Sequence, residues 1–86
     1  MRIVISGRVQ GVGFRYATYR QAVSLGLTGW VANRYDGSVE AEFEGPRSAL
    51  DLMLDWCKTG PRYADVQHVT PEWSAGDSKY NDFRIE

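Results

Sequence analysis

The chain has 86 residues, with 10 Lys and Arg against 11 Asp and Glu, a net charge of −1 and 43% hydrophobic residues. This length permits one small domain with a single core, and the charge balance lacks the basic excess typical of nucleic-acid binders. No apolar run is long enough to span a bilayer, the N-terminal MRIVIS is too short for a secretory signal, and the single cysteine permits no intrachain disulfide. We therefore expect one monomeric, cytoplasmic domain over residues 1–86 that binds neither membrane nor nucleic acid.

The first half of the chain predicts a strand, a helix and a hairpin. Residues 2–9 alternate, with Ile3, Ile5, Gly7 and Val9 on one face. Residues 14–25 change to a helical period, and Gly26 is a typical helix stop. Residues 27–45 predict a hairpin around Asp36-Gly37, a pair suited to a tight type I′ turn because both central positions of that turn need positive φ. In its second arm, inward positions alternate with outward ones: Val39, Ala41 and Phe43 point inward, and Ser38, Glu40, Glu42 and Glu44 point outward.

The second half predicts another helix and two further strands. Residues 45–61 carry Pro46, which suits a first helical turn, and Leu50, Met53, Leu54 and Cys57 at the spacing of one apolar face. Residues 64–73 and 82–86 predict strands, with a loop over 74–81 between them. The order βαββαβ, plus a short extra C-terminal strand, indicates an α+β fold: a ferredoxin-like α/β sandwich with two helices on one face of a mainly antiparallel sheet.

The segment GRVQGVGFR, residues 7–15, has three glycines between the first strand and the first helix. Glycines allow a backbone to curl until several N–H groups point at one place, and a helix start adds N–H groups without partners, so the segment suits a phosphate-sized anion. Neither nucleotide motif fits, because Tyr16 stands where the dinucleotide fingerprint needs Gly or Ala, and Val12-Gly13 stand where a Walker loop needs Gly-Lys. A simple tight turn remains the alternative explanation.

Arg15 strengthens the anion hypothesis. A cation in the first turn of a helix opposes the helix dipole and costs about 0.3–1 kcal/mol at an exposed site. The interaction becomes favourable if an anion occupies the loop, because a guanidinium can hold two oxygens through parallel hydrogen bonds. The alternative is a surface arginine whose stem lies on the protein and whose head is in water.

Few side chains in the sequence could act as a general acid or nucleophile near this loop. His68 lies between Val66 and Val69 in a late strand, and Cys57 occupies a core position of the second helix, so both are expected to be structural. Any catalysis must then act on a bond whose leaving group departs without a proton. Carboxylates, whose acids have pKa values of about 4, meet that condition, which points to a mixed carboxylic–phosphoric anhydride.

Such a reaction still needs an attacking water. Asn33 is the candidate to position it, because its side-chain carbonyl can accept a hydrogen bond from water while its NH₂ donates to a phosphoryl oxygen. The alternative is that Asn33 only marks the end of a strand, where asparagine is frequent.

GRVQGVGFR followed by GWVANRYDGSVEAEFEG resembles the acylphosphatase family, closely over residues 5–45 and more loosely to DFRI at 82–85. The resemblance implies a ferredoxin-like fold and hydrolysis of acyl phosphates without metal or other cofactor. It also implies that phosphate or sulfate binds to Arg15 and the loop backbone, that Asn33 orients the water, and that the substrate's phosphate takes the water's proton. The loop residues concerned are Gln10, Gly11, Val12, Gly13 and Phe14.

Two departures and two alternatives accompany the resemblance. Arg34 follows Asn33 where many members have a small hydroxyl residue, and Gly13 stands where others carry an aromatic. Acylphosphatase-like domains also form the front end of a hydrogenase-maturation carbamoyltransferase, so this chain could be such a domain. A non-catalytic ferredoxin-like module, such as an RNA binder, is the other alternative, and the row of glutamates at 40, 42 and 44 disfavours it.

Overall fold

The fold is a two-layer sandwich, seen in a computed structural model that describes residues 1–75 and 78–86. Its elements confirm the predicted order, with ends that differ from the predicted ones by one or two residues. In chain order they are β1 Arg2–Arg8, α1 Phe14–Ser24, β2 Thr28–Asn33, β3 Val39–Glu44, α2 Arg47–Thr59, β4 Asp65–Glu72 and β5 Phe83–Ile85. The predicted loop over 74–81 includes residues 76 and 77, which lie outside the described residues. Neither helix is long and apolar enough to cross a membrane.

The sheet has the strand order β4-β1-β3-β2-β5. All neighbours are antiparallel except β2 and β5, which run parallel, so the prediction of a mainly antiparallel sheet is confirmed. Because β3 lies antiparallel to both β1 and β2, those two strands run in the same direction and end at the same edge. Ile5 of β1 and Asn33 of β2 both pair with Val39, on either side of β3. The loop after β1 and the end of β2 therefore meet at one edge of the sheet.

Both helices cover the same face of the sheet and enclose one hydrophobic core. The predicted inward side chains Val39, Ala41 and Phe43 are fully buried, and so is Cys57 of α2. Each fully buried aliphatic or aromatic side chain contributes about 1.5–3 kcal/mol relative to an exposed one. The core comprises Met1, Ile3, Ile5, Val9, Phe14, Ala22, Leu27, Val31, Val39, Ala41, Phe43, Leu50, Met53, Cys57 and Phe83.

Gly7 serves the fold rather than the anion loop. The pairing of β1 with β4 shifts register between Ser6 and Gly7, and a Cβ on Gly7 would lie 2.2 Å from the main-chain oxygen of Asp65. Only glycine permits this close approach of β4. Of the three glycines in the sequence motif, two are left to shape the loop itself.

The hairpin turn lies where the sequence predicts it, but the type I′ prediction is wrong. Residues 34–38 connect β2 to β3, and in this loop only Gly37 has a positive φ, of 93°. The Gly37 N–H donates to the Arg34 carbonyl at 3.2 Å, and the Asp36 carboxylate accepts from the Ser38 backbone and hydroxyl. Ser38, predicted to point outward, is only 5% exposed because this bonding folds its side chain back onto the turn.

Candidate active site

The connection from β1 to α1 presents main-chain N–H groups at its end. Gly11 and Gly13 have φ values of 75° and 77°, in the left-handed region that other residues rarely adopt. The first intrahelical bond runs from the Ala17 N–H to the Gly13 carbonyl at 3.0 Å. The N–H groups of residues 14–16 thus have no partner in the helix. Gly13 occupies the N-cap position, and no described side chain caps the start of the helix. The positive end of the helix dipole lies at the same place.

The side chains of this loop hold it in position. Phe14 is buried and packs on Trp56 of α2, with ring centroids 5.7 Å apart. Val12 is half-buried against the core. The Gln10 side chain leaves the loop altogether and donates to two carbonyls of the hairpin turn. The loop is therefore anchored on both sides, with its backbone turned toward solvent.

A cavity of about 220 Å³ lies beside this backbone. Arg15 and Asn33, the two side chains to which the sequence analysis gives catalytic roles, both line it. Of the five predicted loop residues, Gly11, Gly13 and Phe14 line the cavity, whereas Gln10 and Val12 do not. The complete lining is Val9, Gly11, Gly13, Phe14, Arg15, Tyr16, Asn33 and Ile85.

Arg15 lies in the first turn of α1 and is half-buried. Its Nη1 donates to the main-chain oxygen of Glu86, the residue after β5, at 2.9 Å. Among the residues that the structure describes, no carboxylate side chain pairs with it. A guanidinium has five N–H donors, so donors remain for a bound anion.

Asn33 is the last residue of β2 and is exposed. Its backbone is fixed by pairing with Val39, whereas its side-chain amide has no hydrogen-bond partner in the described part of the chain. An amide held at its backbone and open at its tip can accept from a water and donate to an oxygen of the same ligand.

Two cavity residues have no role in the sequence analysis, Tyr16 and Ile85. Tyr16 is 60% exposed and Ile85 is 43% exposed, so both present apolar surface to solvent. Tyr16 is held by contact with the Tyr19 ring at 6.4 Å between centroids. In the sequence, Tyr16 could have been identified by its position directly after Arg15. Ile85 could not be found this way, because its place depends on the pairing of β5 with β2.

The other reactive side chains lie outside this cavity. Burial raises the pKa of Cys57 to about 12, so its thiol stays protonated and is a poor nucleophile. His68 is exposed on β4, where it pairs with Ser6. A larger cavity of about 610 Å³ lies at the opposite end of the sheet, but there Lys79 Nζ is paired with Glu42 at 3.2 Å. The smaller cavity is the better candidate because its guanidinium keeps donors that Glu86 does not use and its Asn33 amide has no partner among the described residues.

Known proteins resemble the chain over nearly its whole length. A curated acylphosphatase from Pelotomaculum thermopropionicum is 46% identical over 83 residues, which cover 96% of this chain and 90% of the relative. The crystal structure of acylphosphatase from Bacillus subtilis superposes with a TM-score of 0.95 at 40% identity, covering 99% of this chain and 94% of that one.

A second kind of match corresponds to the alternative of a domain within a larger protein. HypF from T. kodakarensis superposes with a TM-score of 0.84 at 28% identity, covering 100% of this chain and 12% of that one. Its lower identity makes this alternative less well supported than the stand-alone relatives. The family model named Acylphosphatase matches residues 1–85. Together with the relatives at nearly half identity, this match shows that the chain belongs to the acylphosphatase family.

Proposed function

We propose that the 220 Å³ cavity is where this chain hydrolyses acyl phosphates to a carboxylate and inorganic phosphate, with Arg15 and Asn33 as its catalytic residues. Family membership supplies the reaction class. The observation that supports the site is that Arg15 and Asn33, 18 positions apart in the sequence, line one cavity beside the uncapped start of α1.

In this proposal, the phosphoryl group binds to the curled backbone and to Arg15. The N–H groups of residues 11–14 point at its oxygens, and the guanidinium donates to two of them in parallel. Gln10, Val12 and Phe14 contribute through backbone position, since their side chains are used elsewhere. Charge that develops on the phosphoryl oxygens is stabilised by donors that are already in place, so no reorganisation is needed during the reaction.

The water comes to the phosphorus from the side of Asn33. Its oxygen forms a bond to phosphorus as the bond between phosphorus and the acyl oxygen breaks, and the acyl group leaves as a carboxylate. The water's proton passes to a phosphoryl oxygen, which gives a carboxylate and dihydrogen phosphate from an acyl phosphate dianion and water. A carboxylate leaves without protonation because its acid has a pKa of about 4, so the reaction needs no side-chain acid. Positioning and charge stabilisation then account for catalysis.

The acyl end of the substrate lies against Tyr16 and Ile85 in this proposal. Both side chains present apolar surface at the cavity. The cavity is smaller than the roughly 300–1,000 Å³ of sites for drug-sized ligands. We therefore expect a short aliphatic or single-ring acyl group rather than a nucleotide-sized one.

We further propose that residues 1–86 act as one monomeric domain in the cytoplasm and bind no nucleic acid. A buried, unpaired cysteine and a net charge of −1 support this. Glu40, Glu42 and Glu44 lie together on the sheet face away from the helices, where they would repel a phosphate backbone.

The test is phosphate release from acetyl phosphate and benzoyl phosphate by the purified chain in excess EDTA. We expect turnover that the chelator does not reduce. Asn33→Ala is expected to lower kcat at least tenfold while weakening inhibition by inorganic phosphate far less, because the loop backbone and Arg15 hold the phosphoryl group and Asn33 adds one donor to it. Asn81→Ala, at an exposed asparagine outside the cavity, is the matched control. Absence of turnover in the wild-type chain would refute the proposal.

A further inference from the structure

Gln10 makes the most direct contact between the loop and the hairpin. Its Nε2 donates to the main-chain carbonyl of Arg34 at 2.7 Å and to that of Ser38 at 2.9 Å. The two acceptors lie 24 and 28 positions further along the chain. The Gln10 side chain is half-buried.

The chemistry of the two partners fixes the orientation of this amide. Both partners are carbonyl oxygens, which only accept, and the NH₂ end of a glutamine carries two N–H donors. The reversed amide would bring its own oxygen against two carbonyls. Each donor therefore has its own acceptor, and the side chain is held at both.

The two acceptors lie beside the strand pair that contains Asn33, the residue that we propose orients the water. Asn33 and Val39 form the last pair between β2 and β3, and Arg34 and Ser38 are the first and last residues of the loop beyond that pair. The Arg34 N–H also donates to the Ser38 carbonyl at 2.9 Å. Gln10 thus holds both arms of the hairpin next to Asn33, where the pairing of β2 with β3 ends. Its own backbone leads directly into Gly11, which lines the cavity.

We propose that Gln10 is a positioning residue, which sets the distance between the anion-binding backbone and Asn33 by clamping the hairpin turn to the loop. This inference rests on the proposed function, since it concerns the alignment of water and phosphoryl group in that reaction. It gives the Gln10 side chain a role different from the one predicted for its backbone.

Loss of the clamp should affect phosphate binding and catalysis differently. The anion-binding backbone is also anchored by Phe14 against Trp56, so inorganic phosphate should still bind. Asn33 would lose its fixed distance from the phosphoryl group, and misplacement by about 1 Å can cost up to a hundredfold in rate. A kcat effect without an effect on phosphate binding is therefore the signature of positioning.

The experiment uses Gln10→Met, which keeps the length of the side chain and removes both donors. We expect kcat for benzoyl phosphate to fall about tenfold to a hundredfold, with the inhibition constant of inorganic phosphate within twofold of wild type. Gln10→Lys, whose ammonium can donate to both carbonyls, should recover most of the rate. Gln67→Met, at an exposed glutamine of β4, is the matched control and should change neither value.

A double-mutant cycle tests whether Gln10 acts through Asn33. In an Asn33→Ala background, Gln10→Met should lower kcat less than twofold, because the group that it positions is gone. Full additivity of the two losses, or a kcat of Gln10→Met within twofold of wild type, would overturn the inference. If Gln10→Met does not fold, Gln10→Asn, which is one methylene too short to reach both carbonyls, carries the same expectations.

A readout that needs no activity distinguishes this inference from the proposed function. Amide hydrogen exchange of Arg34 should accelerate at least tenfold in Gln10→Met and stay unchanged in Gln67→Met, because the clamp protects the Arg34–Ser38 bond. Unchanged exchange would show that Gln10 does not hold the turn, and the inference would fail. An inactive wild-type chain with accelerated exchange in the variant would instead refute the proposed function.

Discussion

Each of the two helices carries an arginine in its first turn, and the two arginines have different surroundings. Arg47 of α2 donates from Nε to Asp51 at 3.1 Å, and its guanidinium lies 3.6 Å from the centroid of the Trp73 ring. Arg15 of α1 has no carboxylate side chain beside it in the described part of the chain and meets only the main-chain oxygen of Glu86. Both charges oppose a helix dipole, but only that of Arg47 is compensated within the fold.

The difference supports a structural role for Arg47 and the proposed anion-binding role for Arg15. A carboxylate one turn along the helix and an aromatic face are common partners of a surface arginine. Arg15 instead lines a cavity, together with Asn33, beside the uncapped start of α1. Arg15 keeps donors that its hydrogen bond to Glu86 does not use, which supports the proposal that the start of α1 binds an anion.

The largest expected effect comes from removing each arginine in turn. Arg15→Ala should lower kcat/KM about 10²–10³-fold, the loss seen when one donor to a developing negative charge is removed, and should change stability by less than about 1 kcal/mol. Arg47→Ala should leave kcat/KM within twofold and reduce stability by about 1 kcal/mol through loss of the Asp51 and Trp73 contacts. Steady-state kinetics and urea denaturation of both variants provide the measurement.

Loss of activity in Arg47→Ala but not in Arg15→Ala would contradict this assignment. Unchanged turnover in Arg15→Ala would make Arg15 an ordinary surface residue. Arg15→Lys sharpens the test, because an ammonium keeps the charge but cannot bind two oxygens in parallel. Its activity should fall between those of wild type and Arg15→Ala.

A smaller effect is expected from the backbone at the two ends of α1. Gly13 and Gly26 have φ values of 77° and 72°, and a Cβ on either would meet nothing within 4 Å. Gly13→Ala and Gly26→Ala should therefore lose similar stability, about 1–2 kcal/mol for the left-handed backbone. Only Gly13→Ala should lose activity, by about tenfold, because only Gly13 lines the cavity. Equal activity of the two variants would show that the curled backbone has no part in catalysis.

Local sequence patterns predicted the elements and most of the core, because side chains three or four positions apart in a helix, or two apart in a strand, share a face. They could not predict the Gln10 clamp or the place of Ile85. Those contacts join residues far apart in the chain, and they depend on which strands pair and in which register. The turn type was missed for a related reason. The Asp36 carboxylate accepts hydrogen bonds from Ser38 and so stabilises a loop longer than two residues. The Asp36-Gly37 pair alone does not predict this contact.

The smallest expected effect concerns a third arginine, Arg34, in the hairpin that carries Asn33. Hydrogen bonds from the Ser38 hydroxyl and backbone hold the pKa of Asp36 below its usual 3.8, and Arg34 adds to the effect from 3.8 Å. A lowered pKa in the folded state means that the contribution of Asp36 to stability is complete above pH 3.8 and is lost as pH falls through the folded value. Urea midpoints of wild type and Asp36→Asn should therefore stay a constant distance apart between pH 7 and pH 5, and converge only below about pH 4. Asp65→Asn, at an exposed aspartate outside the turn, is the control. Convergence already between pH 7 and pH 5 would mean that Asp36 loses its proton at a higher pH than these hydrogen bonds imply, and that the turn beside Asn33 is held by other contacts.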